Sequence, residues 1–296
     1  MPHVHSPARA NARRLVAVLG LSAVILVIEL VGGLASNSLA LLADAGHVFT
    51  DVAGISLALL AIWIGSRPAS GERTYGYLRL EILAAVANAV LLFAVAAFIL
   101  YEAWQRLSAP PEVASGLMLA VALVGLLINA VSLWLLHDAQ ARSLTMRGAY
   151  LEVLGDLAGS AVVVAAAIVI ALTGRTGADA LASAIIAVLI LPRTWGLLRD
   201  AIDVLLEATP KGVEMADVRR HILEAPGVAD VHDLHAWTIT SGVNVVSAHV
   251  VLEPEADGAA VLDFLCDCLS GDFDIEHSTF QLESSDRRRL EAVSHG

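Results

Sequence analysis

His47 and Asp51 stand four residues apart, and so do Glu152 and Asp156. On a helix such a pair leaves one face with about 6 Å between its members, so each pair could offer two ligands to one point. Asp44 lies one turn earlier on the stripe of His47 and Asp51. One imidazole and three carboxylates suit a borderline divalent cation, because nitrogen favours zinc, cobalt or nickel over magnesium or calcium. Without thiolate or thioether, Cu(I) is disfavoured. These ligands must be deprotonated to bind metal, so metal and protons compete for the same atoms. A site with that competition, opened alternately to two sides, is a metal/proton exchanger.

Both pairs lie in apolar surroundings. The chain has 296 residues, 57% of them hydrophobic, and a mean hydropathy of +0.72, which excludes a soluble globular protein. Runs long enough to cross about 30 Å of hydrocarbon recur near residues 15–35, 41–64, 80–103, 116–136, 149–172 and 178–198. The expected architecture is therefore a six-helix, all-α transmembrane domain over residues 15–206, preceded by a cytoplasmic tail, 1–14. The first apolar run is longer than a signal-peptide core and reads as a retained helix. Arg9, Arg13, Arg14, Arg67, Arg73, Arg79, Arg142 and Arg147 fall on one side and only Arg106 and Arg175 on the other, so both termini are expected in the cytoplasm.

A carboxylate in mid-bilayer is costly and marks function by default. An ion pair between helices would explain one such residue as well; two aligned pairs are harder to explain that way. Spans two and five run in opposite directions, which sets His47 near Asp156 and Asp51 near Glu152. Gly46, Gly54, Gly155, Gly159 and Ser160 would let those helices approach closely. Glu29, Asn88 and Asn129 could line a path, with interhelical hydrogen bonding the expected role of the asparagines.

Residues 207–296 form a separate cytoplasmic domain holding 17 of the 30 acidic residues and six of the 18 basic ones. So acidic a surface disfavours nucleic acid and tolerates cations. A short amphipathic helix over 212–225 ends at "APG", two strands flank Ser241-Gly242, a helix follows over 258–270, and "FDIEHSTFQLE" reads as a last strand. The order is αββαβ. If the turn is a two-residue loop without a bulge, His249 faces residue 234 with His232 its diagonal neighbour, and His235 points to the other face with Trp237. His232, His249 and Glu283 are therefore the expected metal ligands. His277 shares a face with Glu283 but lies about 20 Å along the strand, as a candidate for another site. His3 and His5 could add ligands from the tail. Cys266 and Cys268, spaced i, i+2, form neither a disulfide framework nor a CxxC zinc site and read as buried or incidental thiols.

"SLALLADAGHVFTDV", "RTYGYLRLEILAAVAN", "GAYLEVLGDLAGS" and "VHDLHAW" with "SAHVV" resemble, in matching order, the cation diffusion facilitator family of zinc transporters. The resemblance implies a homodimeric exporter of divalent metal ions driven by proton antiport, embedded in the lipid of the bacterial inner membrane, with a ferredoxin-like cytoplasmic domain that binds Zn2+. It also implies a transport site of His47, Asp51, Glu152 and Asp156. Glu152 stands where many members have histidine, which resembles the bacterial cobalt-zinc-cadmium resistance branch and extends the expected substrates to Zn2+, Cd2+ and Co2+. The loop "SRPASGERT" lacks the histidines some relatives use, so no metal is expected there. An intramembrane metalloenzyme fits less well, since "HVFTD" lacks the glutamate base of HExxH and four protein ligands leave no open position. A sensor without flux would not need ligand pairs deep in the membrane.

Overall fold

The computed structural model describes residues 7–65, 67–140, 144–275 and 277–288. Six long helices come first: α1 (Pro7–Ser36), α2 (Leu39–Gly65), α3 (Leu80–Ser108), α4 (Ser115–Gln140), α5 (Leu144–Thr173) and α6 (Gly177–Leu205). Each contains a stretch of 23 to 29 residues apolar enough to cross a bilayer. The described part of helix α1 begins at Pro7, ahead of its apolar run. Large apolar side chains point outward, Leu172, Trp134 and Trp104 among them, as a lipid-facing surface requires.

The interior of the bundle is built from small residues. Ala40, Ala43, Ala96, Ala122, Ala167 and Ala187 are buried together with Leu41, Met118 and Val163, and small side chains let helix backbones close on one another. Two of the glycines expected between α2 and α5 do something else. A Cβ on Gly46 would meet Val95 at 3.2 Å and one on Gly54 would meet Asn88 at 2.6 Å, so both admit α3. Gly54 stands two turns beyond His47 on its side of the helix, and Asn88 borders a cavity with His47 and Asp51. Gly159 does admit α2, since its Cβ would come within 3.0 Å of Asp44.

The N-terminal end of α2 is fixed by a residue from another helix. Asp179, buried in the first turn of α6, accepts hydrogen bonds from the Ser38 hydroxyl (2.6 Å) and from the amides of Leu39 (2.7 Å) and Ala40 (3.1 Å). Those amides have no partner within their own helix. Arg106 of α3 approaches the same carboxylate at 3.8 Å and donates to the Asn37 carbonyl at 2.8 Å.

The chain divides into two compact units, Met1–Leu59 with Ala87–Leu198, and Leu60–Val86 with Arg199–Gly296. In the second, α7 (Met215–Leu223), β1 (Val228–Thr240), β2 (Val243–Leu252), α8 (Gly258–Phe273) and β3 (His277–Ser284) follow in the expected order, with a four-residue turn of helix, α9 (Ser285–Arg288), after them. The sheet order is β1-β2-β3, β1 antiparallel and β3 parallel to β2. Val218 and Ile222 of α7 and Val261, Leu265 and Leu269 of α8 pack on Val231, Ala236, Val246 and Val250. Both helices therefore cover one sheet face. Asp257 caps α8 by accepting from the Ala259 amide at 3.0 Å. Gly242, with φ of +75°, closes the hairpin.

The unbulged register expected for that hairpin is not the one formed. His249 lies opposite His232, and Ser247 opposite His235, so β1 spends three steps where β2 spends two. Asp233, with φ of +52°, sits at this bulge and absorbs the extra residue. The bulge reverses the parity beyond it, placing His235 on the face of His232 and His249 rather than the opposite one. Neither cysteine is buried: Cys266 is exposed and Cys268 half-exposed.

Replacing Asp179 with alanine would leave the Ser38 hydroxyl and two amides of α2 without their acceptor. We expect a loss of about 1–2 kcal/mol, seen as a lower thermal midpoint of the detergent-solubilised protein.

Candidate metal centre

The bundle brings three of the four expected transport ligands together. His47 Nε2 lies 3.5 Å from Asp51 Oδ2, one turn along α2, and 3.3 Å from Asp156 Oδ1 on α5. One donor atom from each residue falls within 4.8 Å of the others. Ligand bonds of about 2.0–2.2 Å in a tetrahedron put neighbouring N and O donors about 3.3–3.5 Å apart. Both separations match such edges. The pairing does not satisfy every polar atom of the cluster, because His47 Nδ1 is buried without a hydrogen-bond partner.

Glu152 is placed differently. It lies one turn before Asp156 on α5, but its Oε1 pairs with Arg193 Nη2 of α6 at 3.2 Å, outside the three-residue cluster. A cleft of about 290 Å³ opens beside Asp51, Glu152 and Asp156, with Leu15, Leu19 and Ser22 of α1 across it. Arg193 borders two further cavities that reach His47. It was not anticipated, although an arginine inside an apolar span is itself the signal.

Buried behind the cluster, Asn129 of α4 donates to Ser160 of α5 (3.2 Å), which donates to Asp44 of α2 (3.2 Å). This chain ties the three helices together beside the ligands. Asp44 is thus a supporting residue, and Asn129 makes the interhelical bond its type suggests. Glu29 of α1 is almost wholly buried, where a Cβ on Gly125 of α4 would come within 2.7 Å of its carboxylate.

A second cluster lies on the sheet face that α7 and α8 leave uncovered. His232 Nε2 is 3.3 Å from Glu283 Oε2, and His249 Nδ1 is 3.2 Å from Glu283 Oε1. The two imidazoles stand 5.0 Å apart, their planes crossed at 77°. Three adjacent strands supply one residue each, and Val251, the partner of Glu283 across the ladder, shares the face of His249. Asp233 at the bulge approaches His249 at 4.0 Å and His235 at 3.4 Å. His277 pairs with Val245 at the far end of β3 and takes no part. His3 and His5 lie outside the described residues.

Six bilayer-length helices define a multi-pass membrane protein, and the buried cluster between them is one that could hold a cation. Residues 15–206 match the cation efflux transmembrane domain and residues 210–285 the cation efflux protein cytoplasmic domain. The chain belongs to the cation efflux family and is a transporter, not an enzyme. It is 45% identical to the metal cation efflux system protein CzcD of Cupriavidus metallidurans over 297 residues, covering 99% of this chain and 93% of that protein. It is 42% identical to the zinc transporter ZitB of Escherichia coli over 281 residues, covering 94% and 90%. A cadmium, cobalt and zinc/H(+)-K(+) antiporter of Bacillus velezensis is 40% identical over 265 residues, covering 88% and 84%.

Arg193 places a positive charge beside a carboxylate that a cation could use. Arg193→Gln is expected to tighten Zn2+ binding to the purified chain by on the order of a few fold, more at low ionic strength than at high. Calorimetric titration at two salt concentrations measures both effects.

Proposed function

We propose that this chain exports Zn2+, and with it Cd2+ and Co2+, from the cytoplasm in exchange for protons. The observation that carries this reading is the buried cluster of His47, Asp51 and Asp156, whose donor atoms are spaced for one ion and shared by two helices. His47 supplies the nitrogen that favours these metals over magnesium and calcium. Asp51 and Asp156 supply charge. Glu152 is the fourth ligand, reached when the ion displaces Arg193. Protons arriving from the other side take up the same atoms and release the ion. Alternating exposure of the site to the two sides makes the exchange productive.

The relatives support the substrates: one is named for zinc, another for cadmium, cobalt, zinc and protons. The arginine distribution supports both termini in the cytoplasm, with the chain in the lipid of the plasma membrane, for a bacterium the inner one. In the C-terminal domain, two imidazoles and a carboxylate at 3.2–3.3 Å fit a Zn2+ ion held by His232, His249 and Glu283. That ion would offset the charge of an acidic domain and favour a homodimer.

Asp51→Ala and Asp156→Ala should each reduce metal uptake into proteoliposomes under an imposed pH gradient by about a hundredfold or more, with elution of the purified chain unchanged. Transport at the parental rate by either variant would refute the site. Zn2+ should also draw two copies of the C-terminal domain together. Small-angle scattering of residues 207–296 on zinc titration tests this, and a profile unaffected by metal counts against it.

A further inference from the structure

Helices α7 and α8 bring together three ligand types on the side of the C-terminal domain away from His232, His249 and Glu283. His221 lies in the last turn of α7. Cys268 and Asp272 stand at i, i+4 on α8 and share a face. One atom of each forms a closed triangle: Cys268 Sγ is 3.5 Å from His221 Nδ1 and 3.6 Å from Asp272 Oδ2, and that nitrogen and oxygen are 3.3 Å apart.

The triangle has the dimensions of a metal site. In a tetrahedron with metal–sulfur bonds of about 2.3 Å, sulfur lies about 3.5–3.7 Å from neighbouring nitrogen and oxygen ligands, which lie about 3.3–3.5 Å from each other. All three edges fall in these ranges. The N···O separation is also longer than the 2.7–3.2 Å of an ordinary hydrogen bond. The His221 ring meets Phe273 edge-on at 5.0 Å, which holds its orientation. Asp272 is 58% exposed, so an ion can enter from solvent.

We infer that His221, Cys268 and Asp272 bind one thiophilic divalent cation of the Zn2+ and Cd2+ class, with the fourth position left to water. Thiolate ligands select soft metals, and this cluster adds a sulfur that the other two lack. The Cys268 thiol is held above its usual range by burial, then by the hydrogen bond and charge of Asp272 and the charge of Glu224. The carboxylates that disfavour a bare thiolate favour a cation, whose binding releases the thiol proton. Cys266 takes no part, because it turns toward Ser278 of β3 at 3.4 Å. The ion would join α7 to α8 independently of both the transport cluster and the sheet cluster.

The test uses the full-length purified protein with Cys266→Ser, so that Cys268 is the only thiol. Adding CdCl2 should produce an ultraviolet thiolate-to-cadmium charge-transfer band that saturates at one ion per chain and should protect Cys268 from alkylation, read by mass spectrometry. His221→Ala and Asp272→Asn should each weaken this by about tenfold or more in cadmium concentration. Asp51→Ala should leave it intact, which separates this site from the transport site. Absence of both the band and the protection overturns the proposal. So does a band of unchanged affinity in both His221→Ala and Asp272→Asn, since the thiol alone would then account for it. The alkylation measurement keeps all three ligands native, so a misfolded variant cannot decide the matter.

Discussion

Hydrocarbon offers no water to a charge, so every ionisable group inside the six-helix unit must find its partner within the protein. The way each carboxylate meets that demand separates structure from function. Asp179 takes three hydrogen bonds of 2.6–3.1 Å from the start of α2; it is satisfied, and its work is to hold a helix end. Asp156 and His47 pair with each other, yet His47 Nδ1 is buried without a hydrogen-bond partner. A native interior does not leave such atoms without a reason, and on the function proposed here that reason is a cation. Glu152 lies between these cases, with an arginine as its partner.

The fold serves that cluster through close approach. Gly159 leaves room for Asp44, Ser160 bonds it, and Asn129 of α4 completes the chain. Gly46 and Gly54 of the same helix admit α3. Helix α2 is thus clamped on two sides by small residues and at its end by Asp179, so His47 and Asp51 project from a helix held along much of its length.

Much of this was legible in the sequence because helical periodicity is strict. Four residues make one turn, so His47 with Asp51, and Glu152 with Asp156, had to share faces, and antiparallel spans had to pair His47 with Asp156. What escaped was decided by tertiary choice. Glu152 reaches either the cluster or Arg193, and the identity of its neighbours on α5 does not say which. Arg193 is visible as a charge within an apolar run beside Pro192, but nothing in the run says which carboxylate it meets. In the C-terminal domain the element order followed from turn residues and alternation. The register did not, because the bulge depends on Asp233 adopting a left-handed conformation that its neighbours do not announce. A parity argument is only as good as the count of residues between turn and target. The pairing of His221 with Cys268 was out of reach for a different reason: the two lie far apart in sequence and meet only when both helices pack on one sheet.

The three clusters share similar ligand spacings but differ in what holds the ligands, and this bears on how readily each can let go of an ion. His232, His249 and Glu283 stand on three hydrogen-bonded strands of one sheet. Such strands move together, so the sheet site keeps its geometry and suits retention. His47 and Asp51 stand on α2 and Asp156 on α5. Helices in a membrane are joined by packing and a few polar bonds, and a displacement of about 1 Å between them is already large against ligand bonds that tolerate about 0.2 Å. A site divided between two such helices loses its ion when they shift, and the shift needs no unfolding. The transport role proposed for His47, Asp51 and Asp156 requires that property, and a more rigid scaffold would forfeit it.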